Sequence, residues 1–191
     1  MERLFGAPFF LSIKNVKKEV VFLKQLIMIN GTMGVGKSAT SRELMKLLPN
    51  SVFLDGDWCW EMSPFVVNEE TKAMVMDNIA HLLNNFLACS IYDYVIFCWV
   101  MHEESIVRQL RSLLKGEFQQ HLFSLVCSQR ALVQRLFRDV AAGIRRDDII
   151  GRSVPRLENY RNMDSIKIDV TNITPLDAAQ QIADYLKKFP G

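Results

Sequence analysis

One segment limits the fold of this chain more than any other. Gly31-Thr32-Met33-Gly34-Val35-Gly36-Lys37-Ser38 meets every fixed position of G-x-x-x-x-G-K-[ST], the pattern of a loop that cradles phosphate. Its glycines let the backbone curl so that successive N–H groups converge on phosphate oxygens. Lys37 brings a positive charge toward the β- and γ-phosphates, and the Ser38 hydroxyl suits a Mg²⁺ ion bridging them. Context separates such a loop from an ordinary Gly-rich turn. Residues 25–30 form a short apolar run that reads as a buried strand, and residues 38–48 read as a helix ended by Pro49-Asn50. Strand, loop and helix stand in the order the phosphate-binding mechanism needs.

At 191 residues the chain suits one domain with a core of ordinary size. A net charge of +2 gives no broad basic surface for nucleic acid or an anionic membrane. No apolar run is long enough to cross a bilayer. The four cysteines show no C-x-x-C spacing, and Cys98 and Cys127 end strand-like runs where a thiol acts as a small hydrophobe. These features are read as a cytoplasmic protein. Residues 1–20 are read as a peripheral extension without chemistry of its own, lacking the basic start and cleavage site of a signal peptide. Residues 21–191 are the expected domain. Nothing in the sequence sets the oligomeric state.

Along that domain, β-rich runs alternate with helical patterns. Strands are expected at 21–30, 51–55, 92–100, 120–127 and 165–170. Helices are expected near 37–48, 69–89, 103–115, 129–141, 153–162 and 175–188. Such alternation predicts an α/β fold of three layers, a five-stranded parallel sheet with helices on both faces. Ser128 is placed to cap one helix, and Thr174-Pro175-Leu176-Asp177 to start another. Ligands of such sheets gather at the carboxyl ends of the strands.

At the end of the second strand stands Asp55-Gly56-Asp57. Phosphoryl transfer to a hydroxyl can use two such acids, one beside the metal and its waters, the other to orient or deprotonate the acceptor. A polar turn with Asp as a helix cap accounts for the same residues without a ligand. The third strand, Tyr94 to Val100, ends without the acid that many P-loop enzymes carry there. Asp55 is therefore the expected metal-side carboxylate.

Taken with the loop, these acids make the chain resemble the small P-loop kinases, the nucleoside-monophosphate kinase fold that includes shikimate kinase, gluconate kinase and chloramphenicol phosphotransferase. The order of elements matches over roughly residues 21–190, and only the phosphate loop, residues 53–57 and an Arg-rich stretch are motif-specific. The resemblance implies transfer of the γ-phosphate of Mg-ATP to a small-molecule acceptor. It implies Ser38 and Asp55 at the metal, and Asp57 at the acceptor beside Lys37. Gly31, Thr32, Met33, Gly34, Val35, Gly36, Lys37, Ser38 and Thr40 would surround the nucleotide. It also implies a short lid near 142–153 in the stretch Arg135 to Arg146. Arg138, seven residues before Arg145, maps onto the arginine that stacks on the base, and Arg145 onto the one that reaches the phosphates, with Arg146 competing for the second role. Paired with Asp139, Asp147 and Asp148, the same arginines would instead form a solvated helix face. Asn172, after the fifth strand, stands where relatives contact adenine.

The acceptor side is less specific. Trp58, Trp60, Met62 and Phe65 follow the acids, then a helix bearing Met74, Met76 and His81. Aromatics here suit a flat acceptor, and apolar residues at helical spacing equally suit a core. His81 is expected to be a hydrogen-bonded structural residue. Between Asp55 and Ser90 there is no Arg and a single Lys, Lys72. A nucleotide kinase is the conventional expectation for this fold, but the missing arginines leave a nucleoside, a sugar acid or an antibiotic-like alcohol equally open. A guanine-nucleotide switch is disfavoured because no N-K-x-D sequence is present. A nucleotide-binding protein with little catalysis is the remaining alternative.

Overall fold

The computed structural model describes residues 23–189. Residues 1–20, read above as an extension, lie outside that range. Five strands form one parallel sheet: β1 (Lys24–Asn30), β2 (Ser51–Asp55), β3 (Tyr94–Trp99), β4 (Phe118–Val126) and β5 (Ile166–Asp169). Their spatial order is β2-β3-β1-β4-β5. β1 is central, and its Leu26, Ile27, Met28 and Ile29 are fully buried, as expected of a parallel strand covered on both faces.

Helices α1 (Lys37–Leu47), α4 (Gln129–Ala141) and α7 (Pro175–Lys188) cover one face, packing on Ile27, Ile29, Ile96 and Phe123. Helices α2 (Glu69–Ala88) and α3 (Glu104–Leu113) cover the other, packing on Leu26, Met28, Val95 and Phe97. Burying a side chain of this size contributes about 1.5–3 kcal/mol each, so the two cores hold the layers together. The expected three-layer α/β architecture is the one found.

Boundaries differ where local chemistry overrides pattern. The helix expected over 153–162 is broken into α5 (Ile149–Ser153), a 3₁₀ turn (Val154–Arg156) and α6 (Leu157–Asn162). Pro155 supplies no N–H and its ring opposes the carbonyl four residues earlier, so one continuous helix cannot run through it. Strand β4 begins at Phe118, two residues before the expected start. Of the first expected strand, residues 21 and 22 lie outside the described range and β1 starts at Lys24.

Helix starts follow their caps. The Ser128 hydroxyl accepts from the Ala131 N–H at 3.2 Å. Thr174 and Asp177 form a reciprocal capping box with Pro175 in the first turn. Asn68 and Thr71 do the same for α2.

Candidate functional site

The loop after β1 is set by its glycines. Gly34 and Gly36 adopt φ of 80° and 114°, a region that L side chains rarely enter. Gly36 is the N-cap of α1, so the unpaired N–H groups of the first turn face the cleft, where an anion is favoured. Asn30 anchors the loop from below. Its amide donates to the Met101 carbonyl at 3.3 Å and its oxygen accepts from Ser124 at 2.6 Å. The Thr32 hydroxyl donates to the Ser153 carbonyl at 2.8 Å, tying the loop to α5.

Lys37 is buried, and its Nζ donates to the Thr32 carbonyl at 3.2 Å. Burial lowers its pKa, against the opposing pull of Asp57 and Asp55. An ammonium held with so little water gains strongly from an incoming phosphate.

The acid pair divides into two environments. Asp55, buried at the end of β2, accepts from Ser38 Oγ at 2.5 Å and from the Asp57 N–H at 3.1 Å. In the ladder it lies level with Cys98 of β3, whose Sγ donates weakly to Ser38 Oγ at 3.8 Å. Burial, then the Asp55 charge, push the Cys98 thiol up to about 12, so it stays neutral. Asp55 thus stands across the ladder from the end of β3, which carries no acid. Ser38 and Asp55 are two hard oxygen donors beside the phosphate loop, which fits Mg²⁺, an ion that takes one or two protein oxygens and keeps several waters. Among the described residues no cluster of three His, Cys, Asp or Glu side chains offers a full protein cage.

Asp57 lies in the 3₁₀ turn Gly56–Trp60 that follows β2. The residue is open to solvent across the cleft, yet protein crowds its carboxyl. Desolvation raises its pKa, with Lys37 and Arg145 pulling the other way and a hydrogen bond from Trp99 also favouring the charged form.

A cavity of about 600 Å³ brings together Met33, Gly34, Gly36, Lys37, Ser38, Asp57 and Arg145. Gly31 and Thr32 are buried beneath it. Arg145 reaches it from the exposed connection between α4 and α5, where its Nε donates to Asp139 at 3.0 Å. A smaller hollow of about 190 Å³ adjoins it, lined by Val35, Thr40, Arg135, Val170, Ile173 and Pro175 among others.

Some expected residues stand apart. Arg138 is exposed on α4 and Arg146 is exposed beyond it, both away from the linings of these cavities. Asn172 is exposed on the loop after β5, while its neighbours Ile173 and Thr174 line the smaller hollow. His81, expected to be a hydrogen-bonded structural residue, is exposed on α2.

Arg135 was not singled out by the sequence. It lines both cavities, and its guanidinium donates to the carbonyls of Val35 (3.2 Å), Thr171 (3.3 Å) and Val170. The spacing of α4 contains the signal. Leu132 and Leu136 are the buried residues of that helix. At 100° per residue, Arg135 flanks their stripe, whereas Arg138 stands roughly 200° from Leu136, on the opposite side. Trp99 was also missed. Besides its bond to Asp57, its ring lies under the acid turn, where a Cβ on Gly56 would approach its Cγ to 2.5 Å. An aromatic residue ending a strand carries no signal of that kind.

A sequence model of the family described as "AAA domain" matches residues 27–149, more than half of the chain. No curated protein matches the sequence significantly. Solved structures share the fold. The tunicamycin resistance protein of Deinococcus radiodurans superposes with a TM-score of 0.62 at 23% identity, covering 85% of this chain and 95% of its own. Shikimate kinase from Acinetobacter baumannii, in complex with shikimate, gives 0.60 at 20% identity, covering 87% and 94%. A gluconokinase from Sinorhizobium meliloti 1021 gives 0.59 at 17% identity, covering 87% and 98%. The fold is that of small P-loop kinases.

Proposed function

The chain belongs to the AAA domain family, and on that premise we propose that it is an ATP-dependent phosphotransferase acting on the hydroxyl of a small molecule. One observation carries the reading. Lys37, Ser38, Asp57 and Arg145 line a single cavity at the mouth of the phosphate loop, with Asp55 bonded to Ser38 behind it. That is a phosphate cradle facing a carboxylate suited to an acceptor.

The loop N–H groups and Lys37 bind the β- and γ-phosphates. Asp57 orients the acceptor hydroxyl and takes its proton. The acceptor oxygen bonds to the γ-phosphorus as the bond to the β–γ bridging oxygen breaks, and that oxygen leaves with the electron pair on ADP. Arg145 exchanges its contact with Asp139 for the transferring group and supports its charge. Ser38, with Asp55 behind it, would hold Mg²⁺, which would supply neutralisation of phosphate charge. Arg135 and the loop after β5 shape the hollow for the base, with Asn172 at its margin and Arg138 outside it. The lid expected near 142–153 closes over the cleft and excludes water.

A nucleotide kinase is the conventional form of this reading. A sugar-acid or antibiotic-type phosphotransferase is the alternative, since the absence of Arg between Asp55 and Ser90 disfavours a monophosphate acceptor. The test is ADP release from Mg-ATP across nucleosides, nucleotides, sugar acids and phenicol- or aminoglycoside-like alcohols. An acceptor-dependent rate is expected. Lys37→Ala abolishes it, and Asp57→Asn retains ATP binding by calorimetry while losing about 10²–10⁴-fold in transfer. A rate indifferent to every acceptor, or to Asp57→Asn, refutes the mechanism.

A further inference from the structure

A further cavity, of about 340 Å³, is walled by Trp99 and lined by no residue of the phosphate loop. It lies between the start of α2 and the end of β3 with α3. Its apolar wall comprises Trp60, Val67, Met76, Trp99 and Ile106. Trp99 joins the two sites physically: its ring walls this cavity and packs against Gly56, the residue before Asp57, where a Cβ would meet the ring at 2.5 Å. Gly56 leads directly into Asp57, so the Trp99 ring stands between this cavity and the acid turn.

The charge of the lining is as informative as its shape. Among the described residues that line it, Lys72 is the lone permanently charged cation, and it is paired with Glu69 at 2.8 Å. No arginine is present. A carboxylate or phosphate entering this space would lose water and gain only an exposed lysine already shared with Glu69, a poorer exchange than an arginine fork gives. An apolar ring would meet two indoles and lose only apolar hydration. The approach is apolar too. Phe65, Val66 and Val67 on the loop before α2 are 67%, 42% and 54% exposed, and Phe65 rests 6.0 Å from the Trp60 ring.

We infer that this cavity is the acceptor subsite and that the acceptor is a neutral, ring-bearing alcohol, neither a nucleotide nor a sugar acid. The inference rests on the phosphotransfer reading for what the site is used for. Phosphoryl transfer there follows the balance already given: the hydroxyl oxygen gains the phosphoryl group, its proton passes to Asp57, and ADP departs.

The test separates charge from shape. Trp58, Trp60 and Trp99, all the tryptophans of the chain, flank the region and report binding by fluorescence without nucleotide. Two matched pairs are titrated: phenyl β-D-glucoside with phenyl β-D-glucuronide, and methyl tropate with tropate. In the first pair a carboxylate replaces the C6 hydroxymethyl group and the ring and three secondary hydroxyls are kept; in the second it replaces a methyl ester and both ring and hydroxyl are kept. The neutral member is expected to bind at least about tenfold tighter. Ala73 lines the cavity from an exposed position of α2, so Ala73→Trp fills the space without disturbing the core. It is expected to weaken the neutral members by a similar factor. Equal or reversed preference within the pairs overturns the inference. So does a preference that survives Ala73→Trp, or the lack of any fluorescence change up to millimolar ligand. Failure of Mg-ATP to give heat of binding defeats the phosphotransfer reading alone, because the fluorescence preference is read in its absence.

Discussion

Gly34→Ala tests how α4 sets the phosphate loop. Gly34 has φ +80°, and a Cβ there would lie 2.4 Å from Leu136 Cδ2 and 3.0 Å from Leu136 Cγ, with Leu132 Cδ1 next at a comfortable 3.7 Å. Two costs follow. Holding alanine in the left-handed region costs about 1–2 kcal/mol. Forcing its methyl against a fully buried leucine costs about 1–3 kcal/mol. Together they predict a loss of roughly 2–5 kcal/mol, a fall in Tm of roughly 4–20 °C at about 2–4 °C per kcal/mol for this chain length. The two costs are separable because the clash involves only Leu136 atoms beyond Cβ. Leu136→Ala alone costs about 2–5 kcal/mol through the cavity it leaves. In the double variant the clash is gone and the new methyl fills part of that cavity. Its loss should therefore fall short of the sum of the singles by at least about 1 kcal/mol, the lower end of the overpacking cost. Guanidinium unfolding of the four proteins measures this directly. Additivity within about 0.5 kcal/mol would show that Leu136 does not buttress the loop. Calorimetric titration with Mg-ATP should show weaker binding in Gly34→Ala and partial recovery in the double variant.

Arg135→Ala removes a partly buried guanidinium bonded to three main-chain carbonyls of two loops. A loss of about 1.5–3 kcal/mol in unfolding free energy is expected, together with weaker Mg-ATP binding. Arg135→Lys restores only part of either, because an ammonium cannot reproduce the fork; full rescue by Lys would contradict the assignment. His121 gives a pH dependence. Its Nε2 lies 2.6 Å from Gln25 Oε1 beside the Tyr185 ring, and burial holds its pKa below the ordinary value. The unfolded chain therefore binds the proton first as pH falls. The stability contributed by neutral His121 is complete above about pH 6.5 and is lost as pH descends through the folded-state value. Thermal melts from neutral to mildly acidic pH should show this decline in the native protein and lack that step in His121→Gln.

What the sequence disclosed depends on whether a residue's role is local. The phosphate loop is a property of eight consecutive residues between a strand and a helix, so Gly31 to Ser38 could be read directly. Asp55 and Asp57 could be read because strand ends face the cleft in any parallel sheet. Arg135 depends on the roll of α4, which Leu132 and Leu136 fix by packing on the sheet. A count of residues between arginines carries none of that information, and it pointed to Arg138. Trp99 depends on a meeting between β3 and the turn after β2. Those segments are more than thirty residues apart, and no spacing along the chain encodes it.

Strand alternation explains how one sheet serves both halves of the cleft. On β1, Ile27 and Ile29 face the core of α1, α4 and α7, and Leu26 and Met28 face the core of α2 and α3. On β3, Ile96 and Cys98 take the first side, and Val95, Phe97 and Trp99 the second. On β2, Phe53 takes the first and Leu54 the second, which returns Asp55 to the side of Ser38. Each face therefore ends in a different equipment. The α1 side finishes with Asp55 and the small thiol of Cys98 around Ser38. The α2 side finishes with the indole of Trp99 and the apolar cavity. A one-residue slip of β3 would exchange Cys98 and Trp99, driving an indole beneath the phosphate loop and removing the ring packed at Gly56. The buried alternation that holds the sheet in register is thus the same constraint that keeps Ser38, Asp55 and Cys98 on one face and Trp99 with its cavity on the other. Asp57, two residues beyond the last rung of β2, is where the two faces meet.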